Sequence, residues 1–156
     1  EPPRRPTEGV FSRGLHLKIA VRGLFIALAS LAAFALGAFL GAPAGREPLA
    51  YARTLAFTTL VTAQLLYVFQ CRSERRSLLE IGFFGNRWLL AAVAVSFFMQ
   101  LGVVYYPPAA AMLRTVPLAW YDWLPVLGLS ILSQGAESLV VGVRRRVIGG
   151  IAASRV

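Results

Sequence analysis

Charge is what this chain has least of. Only 15% of its 156 residues are Asp, Glu, Lys or Arg, while 57% are hydrophobic, and the mean hydropathy is +0.64. A soluble domain carries about a quarter charged residues to solvate its surface. A short chain has proportionally more surface to cover, so a larger core cannot account for the deficit. The composition therefore excludes a water-covered globule and assigns much of the surface to lipid. Acids are scarcer still, 7 against 16 basic residues. The single cysteine, Cys71, excludes an intrachain disulfide and leaves the redox compartment unread. No glycine-rich phosphate loop, metal-ligand cluster or nucleophile beside a base occurs, so no catalytic residue and no metal site is assigned. Strand alternation and internal repeats of useful length are absent too.

What is present is four long apolar runs. Crossing the hydrocarbon core takes roughly 20 apolar residues. Spans are expected over about 17–41, 54–71, 88–106 and 123–143, the third closed by Pro107 and Pro108, through which a helix does not easily continue. The last is interrupted only by Glu137. The predicted fold is all-α, a polytopic membrane bundle of four transmembrane helices making up one domain over 1–156. The net charge of +9 does not indicate nucleic acid, because the arginines cluster between apolar runs and not along one face of a soluble fold. They divide by side. Arg4, Arg5, Arg13, Lys18, Arg22, Arg72, Arg75, Arg76, Arg87, Arg144, Arg145, Arg146 and Arg155 fall on one side, and Arg46, Arg53 and Arg114 on the other. The positive-inside bias puts both termini in the cytosol. Tyr51, Tyr105, Tyr106, Trp120, Tyr121 and Trp123 gather opposite, as an interfacial aromatic belt does. Arg outnumbers Lys fifteen to one, which points to a GC-rich genome and a bacterial plasma membrane. The start, Glu1-Pro2-Pro3-Arg4-Arg5-Pro6, reads as a loop entered midway, so the chain is expected to be a piece of a longer protein.

Polar residues inside the runs are the candidate functional positions. Ala29, Ala33, Gly37 and Gly41 recur every fourth residue and make a smooth strip where another helix backbone can approach, expected to be a helix outside this chain. Thr54, Thr58 and Thr62 share one face of the second run and read as structural, since a threonine hydroxyl can bond back to its own helix. Gln64 lies on a different face. Its mid-membrane amide must meet protein, water or an ion, either as an interhelical hydrogen bond or as a cation-site group. Ser96 and Gln100 share a face of the third run and are expected to bond a neighbouring helix. Ser130, Ser133, Gln134 and Glu137 follow i, i+3, i+4, i+7 spacing and share one face of the fourth. Glu137, two turns from the Arg144-Arg145-Arg146 cluster, is expected to be a structural or snorkelling ion pair ahead of an ion ligand. That cluster reads as an anchor on anionic headgroups, and His16 as a solvated loop residue.

Taken in order, several stretches resemble the C-terminal region of P-type cation ATPases of the calcium-pump type. Pro2-Pro3-Arg4, Pro6, Thr7-Glu8 and Phe11-Ser12 look like the cytosolic loop after the sixth membrane helix of that family. Residues 52–64, from Ala52-Arg53-Thr54 to Ala63-Gln64, are similar to the start of its eighth helix. Residues 71–90, from Cys71-Arg72-Ser73 to Asn86-Arg87-Trp88, resemble the connection into the ninth. Val116-Pro117-Leu118 and Asp122-Trp123-Leu124, followed by Glu137 and the arginines, are similar to the tenth.

The resemblance implies helices seven to ten of a ten-helix pump that uses ATP, Mg²⁺ and a phosphorylated aspartate to move Ca²⁺ or a related cation. This stretch alone needs no cofactor. Its partners would be the remaining transmembrane helices and cytosolic domains of the same pump, together with the lipid bilayer. Gln64 stands where two-site pumps have a Glu ligand, which implies one calcium per cycle. Glu137 matches a Glu that is structural in the family, although Val140 replaces a Lys common three residues later. Two alternatives stand beside this reading: a free-standing four-helix transporter with Glu137 as a proton-coupled site, and a membrane scaffold subunit.

Overall fold

The computed structural model describes residues 15–39, 41–43, 45–72 and 87–153, with side chains described no further than Val140. The Pro2-Pro3-Arg4 loop, the 73–86 connection and the side chains of His16 and Arg144 to Arg146 lie outside the described residues. Those described form helices and no strand. Helix α1 runs Leu15–Phe39, α2 Pro48–Arg72, α3 Arg87–Tyr105, α4 Pro107–Leu113 and α5 Trp123–Ala153, which a 3-10 turn at Trp120–Asp122 precedes. The chain is an all-α membrane bundle. Ile19–Phe39, Pro48–Phe69 and Arg87–Tyr105 are long and apolar enough to cross a membrane. Helix α5 is longer than any of them at 31 residues, but its apolar run is diluted by Ser130, Ser133, Gln134 and Glu137.

Helix ends differ from the expected ones for local reasons. Helix α2 begins six residues before Thr54, because Pro48 suits a first helical position, where its missing N–H is no loss. Arg53 therefore belongs to the helix and not to the loop before it. Helix α1 stops at Phe39, and Gly41 and Gly45 take positive φ of 81° and 84° in the turn that follows. Pro107 and Pro108 do end α3, but they also occupy the first turn of α4, after a break at Tyr106.

Helices α1, α2 and α5 pack against one another in a triangle, while α3 touches mainly α2 and α4. We call the end holding residues 41–47 and 114–122 the hairpin end, and the opposite end, near Arg22, the basic end. A small cluster of Ala33, Tyr51, Leu55, Val104, Leu118 and Val126 fills the bundle. Large apolar side chains such as Leu31, Phe98, Leu132 and Leu139 point outward, as they would toward lipid or further helices.

The small-residue strip requires a correction. Ala29, Ala33 and Gly37 are buried within this chain, not left bare for an absent helix. A Cβ on Gly37 would come within 2.7 Å of the Ala52 Cα, so glycine there allows α1 and α2 to touch backbone to backbone. Gly41 is exposed in the turn and does not belong to the strip.

Candidate functional site

The polar residues of the bundle fall into a seam between α2 and α5, a lock at each end, and one uncovered face of α2. In the seam, Gln134 Nε2 donates to the Ala63 carbonyl at 2.9 Å, and Ser130 Oγ lies 3.3 Å from the Thr59 carbonyl and 2.7 Å from that of Val126. Ser133 bonds back to the Ser130 carbonyl at 2.7 Å. Two seam atoms, Thr59 Oγ1 and Gln134 Oε1, are buried without a hydrogen-bond partner. Around α2 the threonines have separate tasks. Thr54 Oγ1 donates to the Ala50 carbonyl at 2.8 Å and accepts the Val116 N–H at 3.0 Å. Thr58 Oγ1 accepts Gln100 Nε2 at 3.2 Å, a polar link between α3 and α2. Ser96 is exposed and bonds the Ala92 carbonyl of its own helix, while Gln100 is the one of the two that reaches a neighbour among the described residues.

At the basic end Glu137, 5% exposed, receives Arg22 from α1 along both oxygens: Nη2 to Oε1 at 2.6 Å and Nε to Oε2 at 2.9 Å. The guanidinium lies 3.4 Å over the centroid of the Tyr67 ring of α2. Two contacts thus hold the cation, a fork on the carboxylate and a π face. Glu137 is therefore engaged by a cation 115 positions away in the sequence. At the hairpin end Asp122, 2% exposed, accepts the Tyr51 hydroxyl at 2.7 Å, Arg46 Nη1 at 3.2 Å and the Ala119 N–H at 2.7 Å. Sequence reasoning passed over Arg22, Tyr67, Arg46, Tyr51 and Asp122 as site residues. A charge at the boundary of an apolar run was the available signal, since such a charge has to find a partner before it can be buried.

Gln64 differs from all of these. It is exposed, 200° around α2 from the buried Thr62, and no hydrogen bond to it is found among the described residues. No three His, Cys, Asp or Glu side chains among the described residues converge to hold a metal ion. A cation site that used Gln64 would need its other ligands from outside this chain.

Comparison with known proteins agrees with this architecture. Residues 1–140 match the family model described as cation transporting ATPase, C-terminus. The chain is 44% identical over 130 residues to a calcium-transporting ATPase of Bacillus subtilis (strain 168), covering 83% of this chain and 14% of that protein. It is 33% identical over 129 residues to calcium-transporting ATPase type 2C member 2 of Rattus norvegicus, covering 83% and 13%. It is 30% identical over 133 residues to calcium-transporting ATPase 1 of Lactococcus lactis subsp. lactis (strain IL1403), covering 84% and 14%. The chain thus spans only a small part of the length of the relatives it matches. With a family model over most of its residues and a helical membrane bundle beneath it, this chain belongs to the cation-transporting ATPase family, as a C-terminal membrane region.

Proposed function

We propose that this chain forms helices seven to ten of an ATP-driven calcium pump, with α1, α2, α3 and α5 as its four spans over the single domain 1–156 and both termini cytosolic. In this reading ATP and Mg²⁺ act on domains outside the chain, Ca²⁺ is the cargo, and the membrane is a bacterial plasma membrane. The bundle supports the transport helices, and Gln64 lends one neutral oxygen to the cation site. The observation that carries the reading is the exposure of Gln64: a mid-span amide that its own bundle leaves bare, on a helix whose buried threonines Thr54 and Thr58 are bonded within the bundle. Lipid cannot satisfy an amide, so a group beyond this chain must. An amide oxygen binds a hard dication without adding charge and is the weaker counterpart of a carboxylate.

The engagement of Glu137 by Arg22 and Tyr67 weighs against a free-standing proton-coupled transporter, because both carboxylate oxygens are already taken up in an ion pair that joins two helices. The test is calcium-dependent phosphorylation of the full-length pump. Gln64→Glu is expected to shift its calcium dependence and make it pH-sensitive, and Gln64→Leu to weaken it while the protein stays folded. Superimposable calcium curves for wild type and both variants would remove Gln64 from the cation site.

A further inference from the structure

Two arcs of α2 are covered within this chain, one shared by Ala52, Ala56, Thr59 and Ala63 and the other by Thr54 and Thr58. Ala52 and Ala56 meet α1 through Gly37 and the Ser30 hydroxyl. Thr59 and Ala63 meet α5, and Thr54 and Thr58 meet the segment after α4 and α3. The arc left over carries Arg53, Phe57, Leu60 and Gln64. Their i, i+4, i+7, i+11 spacing makes one straight strip, about 16 Å long at 1.5 Å per residue. Arg53, Phe57 and Gln64 are exposed and Leu60 is half-buried.

At the hairpin end of this strip, Arg53 and Phe57 form one wall of a cavity of about 160 Å³, and Leu113, Arg114 and Thr115 form the other. The second wall is pinned in place. Thr115 Oγ1 donates to the Val103 carbonyl at 2.7 Å, and the next N–H, of Val116, donates to Thr54. Arg114 closes α4 in the left-handed region at φ 53°, a position that glycine usually fills. Of the three arginines at this end, Arg46 is committed to Asp122. The other two line one cavity, and neither has an ion-pair partner among the described residues.

We propose that this cavity seats a carboxylate side chain from the part of the pump outside residues 1–156, brought there by a helix that docks along the Arg53–Gln64 strip. The inference rests on the pump reading. Two guanidiniums lining one small cavity repel each other and call for a counter-anion, and a carboxylate fits their planar fork. The strip decides between protein and lipid as its source. Gln64 lies on the same line of the helix and cannot be left in hydrocarbon, so a helix covers it. A helix that follows the strip from Gln64 ends at Arg53 and Arg114. There is ample chain to supply it, since these residues make up 14% of the Bacillus relative.

The test uses the full-length pump with Arg53→Lys and, separately, Arg114→Lys, each of which keeps the charge and installs a primary amine. A water-soluble carbodiimide activates a carboxylate, the lysine amine displaces the activating group, and an amide forms as the carbodiimide leaves as its urea. Wild type has no lysine at either position and serves as the blank. Digestion and mass spectrometry are expected to find residue 53 or 114 joined to an Asp or Glu outside residues 1–156 in at least one variant. Absence of any such peptide in both variants overturns the proposal. So does an anionic phospholipid that co-purifies with wild type and is lost from the Arg53→Ala, Arg114→Ala double variant, which would make a lipid phosphate the occupant. Calcium-dependent phosphorylation measured on the same preparations keeps the two readings apart. Phosphorylation without the cross-link sinks the docking and leaves the pump reading standing, while a cross-link without phosphorylation sinks the pump reading.

Discussion

The two ends of the bundle are closed with the same three kinds of side chain, used in opposite ways. At the basic end an arginine, a tyrosine and an acid come from α1, α2 and α5: Arg22, Tyr67 and Glu137. At the hairpin end they are Arg46, Tyr51 and Asp122, contributed by the α1–α2 turn, α2 and the 3-10 turn before α5. Yet Glu137 is neutralised by a guanidinium on both of its oxygens, while Tyr67 offers only its ring. Asp122 takes its two shortest bonds, both 2.7 Å, from the Tyr51 hydroxyl and the Ala119 N–H, with Arg46 farther away at 3.2 Å. Where each acid sits explains the difference. Glu137 is inside a helix, where backbone N–H groups are already used by carbonyls four residues back. Only a cation from another helix can satisfy it. Asp122 sits in a turn whose backbone still has an N–H to offer, so dipoles can carry most of its charge. Fifteen residues, or about 22 Å of helix, separate the two acids, and the intervening seam has only neutral polar groups.

The basic end is therefore expected to be the more fragile of the two. Arg22→Ala removes the cation that bonds both Glu137 oxygens, and removing one partner of a buried pair costs about 3–5 kcal/mol. Glu137→Ala should cost less, because the long Arg22 side chain can turn toward the headgroups. The Arg22→Leu, Glu137→Leu double variant should recover most of the loss. Thermal unfolding of the pump in detergent reads all three. A double variant no better than Arg22→Ala alone would show that the pair contributes more than mutual neutralisation.

Gly37 makes it possible to loosen one end and spare the other. An alanine there drives its Cβ against the Ala52 backbone, next to Tyr51. Overpacking of this kind costs about 1–3 kcal/mol, and the separation it forces should fall on the Tyr51–Asp122 bond, while Arg22 lies fifteen residues down α1. Gly37→Ala should therefore be roughly additive with Arg22→Ala and non-additive with Tyr51→Phe. The opposite pattern of coupling would place the close approach under the basic end.

How much of this was legible beforehand depends on the range of the forces involved. Lipid acts on every residue of a span alike, so the apolar runs and the all-α membrane fold were readable from composition. The Ser130, Ser133, Gln134, Glu137 face was readable because helical periodicity is local. Partners were not readable. Nothing near Glu137 in the sequence indicates Arg22, and the Ala29-Ala33-Gly37 strip was assigned to an outside helix because spacing shows that a backbone approaches and not which one. The start of α2 and the short α4 were missed for a related reason. Pro107 and Pro108 were read only as the stop of the third span, which they are, but Pro107 also starts a helix, as the unread Pro48 does. The family resemblance extended furthest, since order along the chain survives where individual contacts do not.

The smallest predicted effects separate the two tyrosines. Tyr51→Phe deletes a hydroxyl that donates to a buried carboxylate at 2.7 Å, and Asp122 is then left with Arg46 and one N–H. A hydrogen bond to a charged group contributes about 1.5–3 kcal/mol, and some of that is regained as Arg46 moves in from 3.2 Å. The expected cost is about 1–2 kcal/mol. Tyr67→Phe keeps the ring beneath Arg22, and the ring is what the guanidinium touches at 3.4 Å. Phenylalanine offers a slightly weaker π face, so the loss should stay below about 0.5 kcal/mol. Tyr67→Ala removes the platform and should cost about 1–2 kcal/mol more than Tyr67→Phe. The informative quantity is the ranking at each end in one unfolding series. If Tyr67→Phe proved as damaging as Tyr51→Phe, the hydroxyl at the basic end would be carrying charge as well, and the division between a cation-held acid and a dipole-held acid would fail.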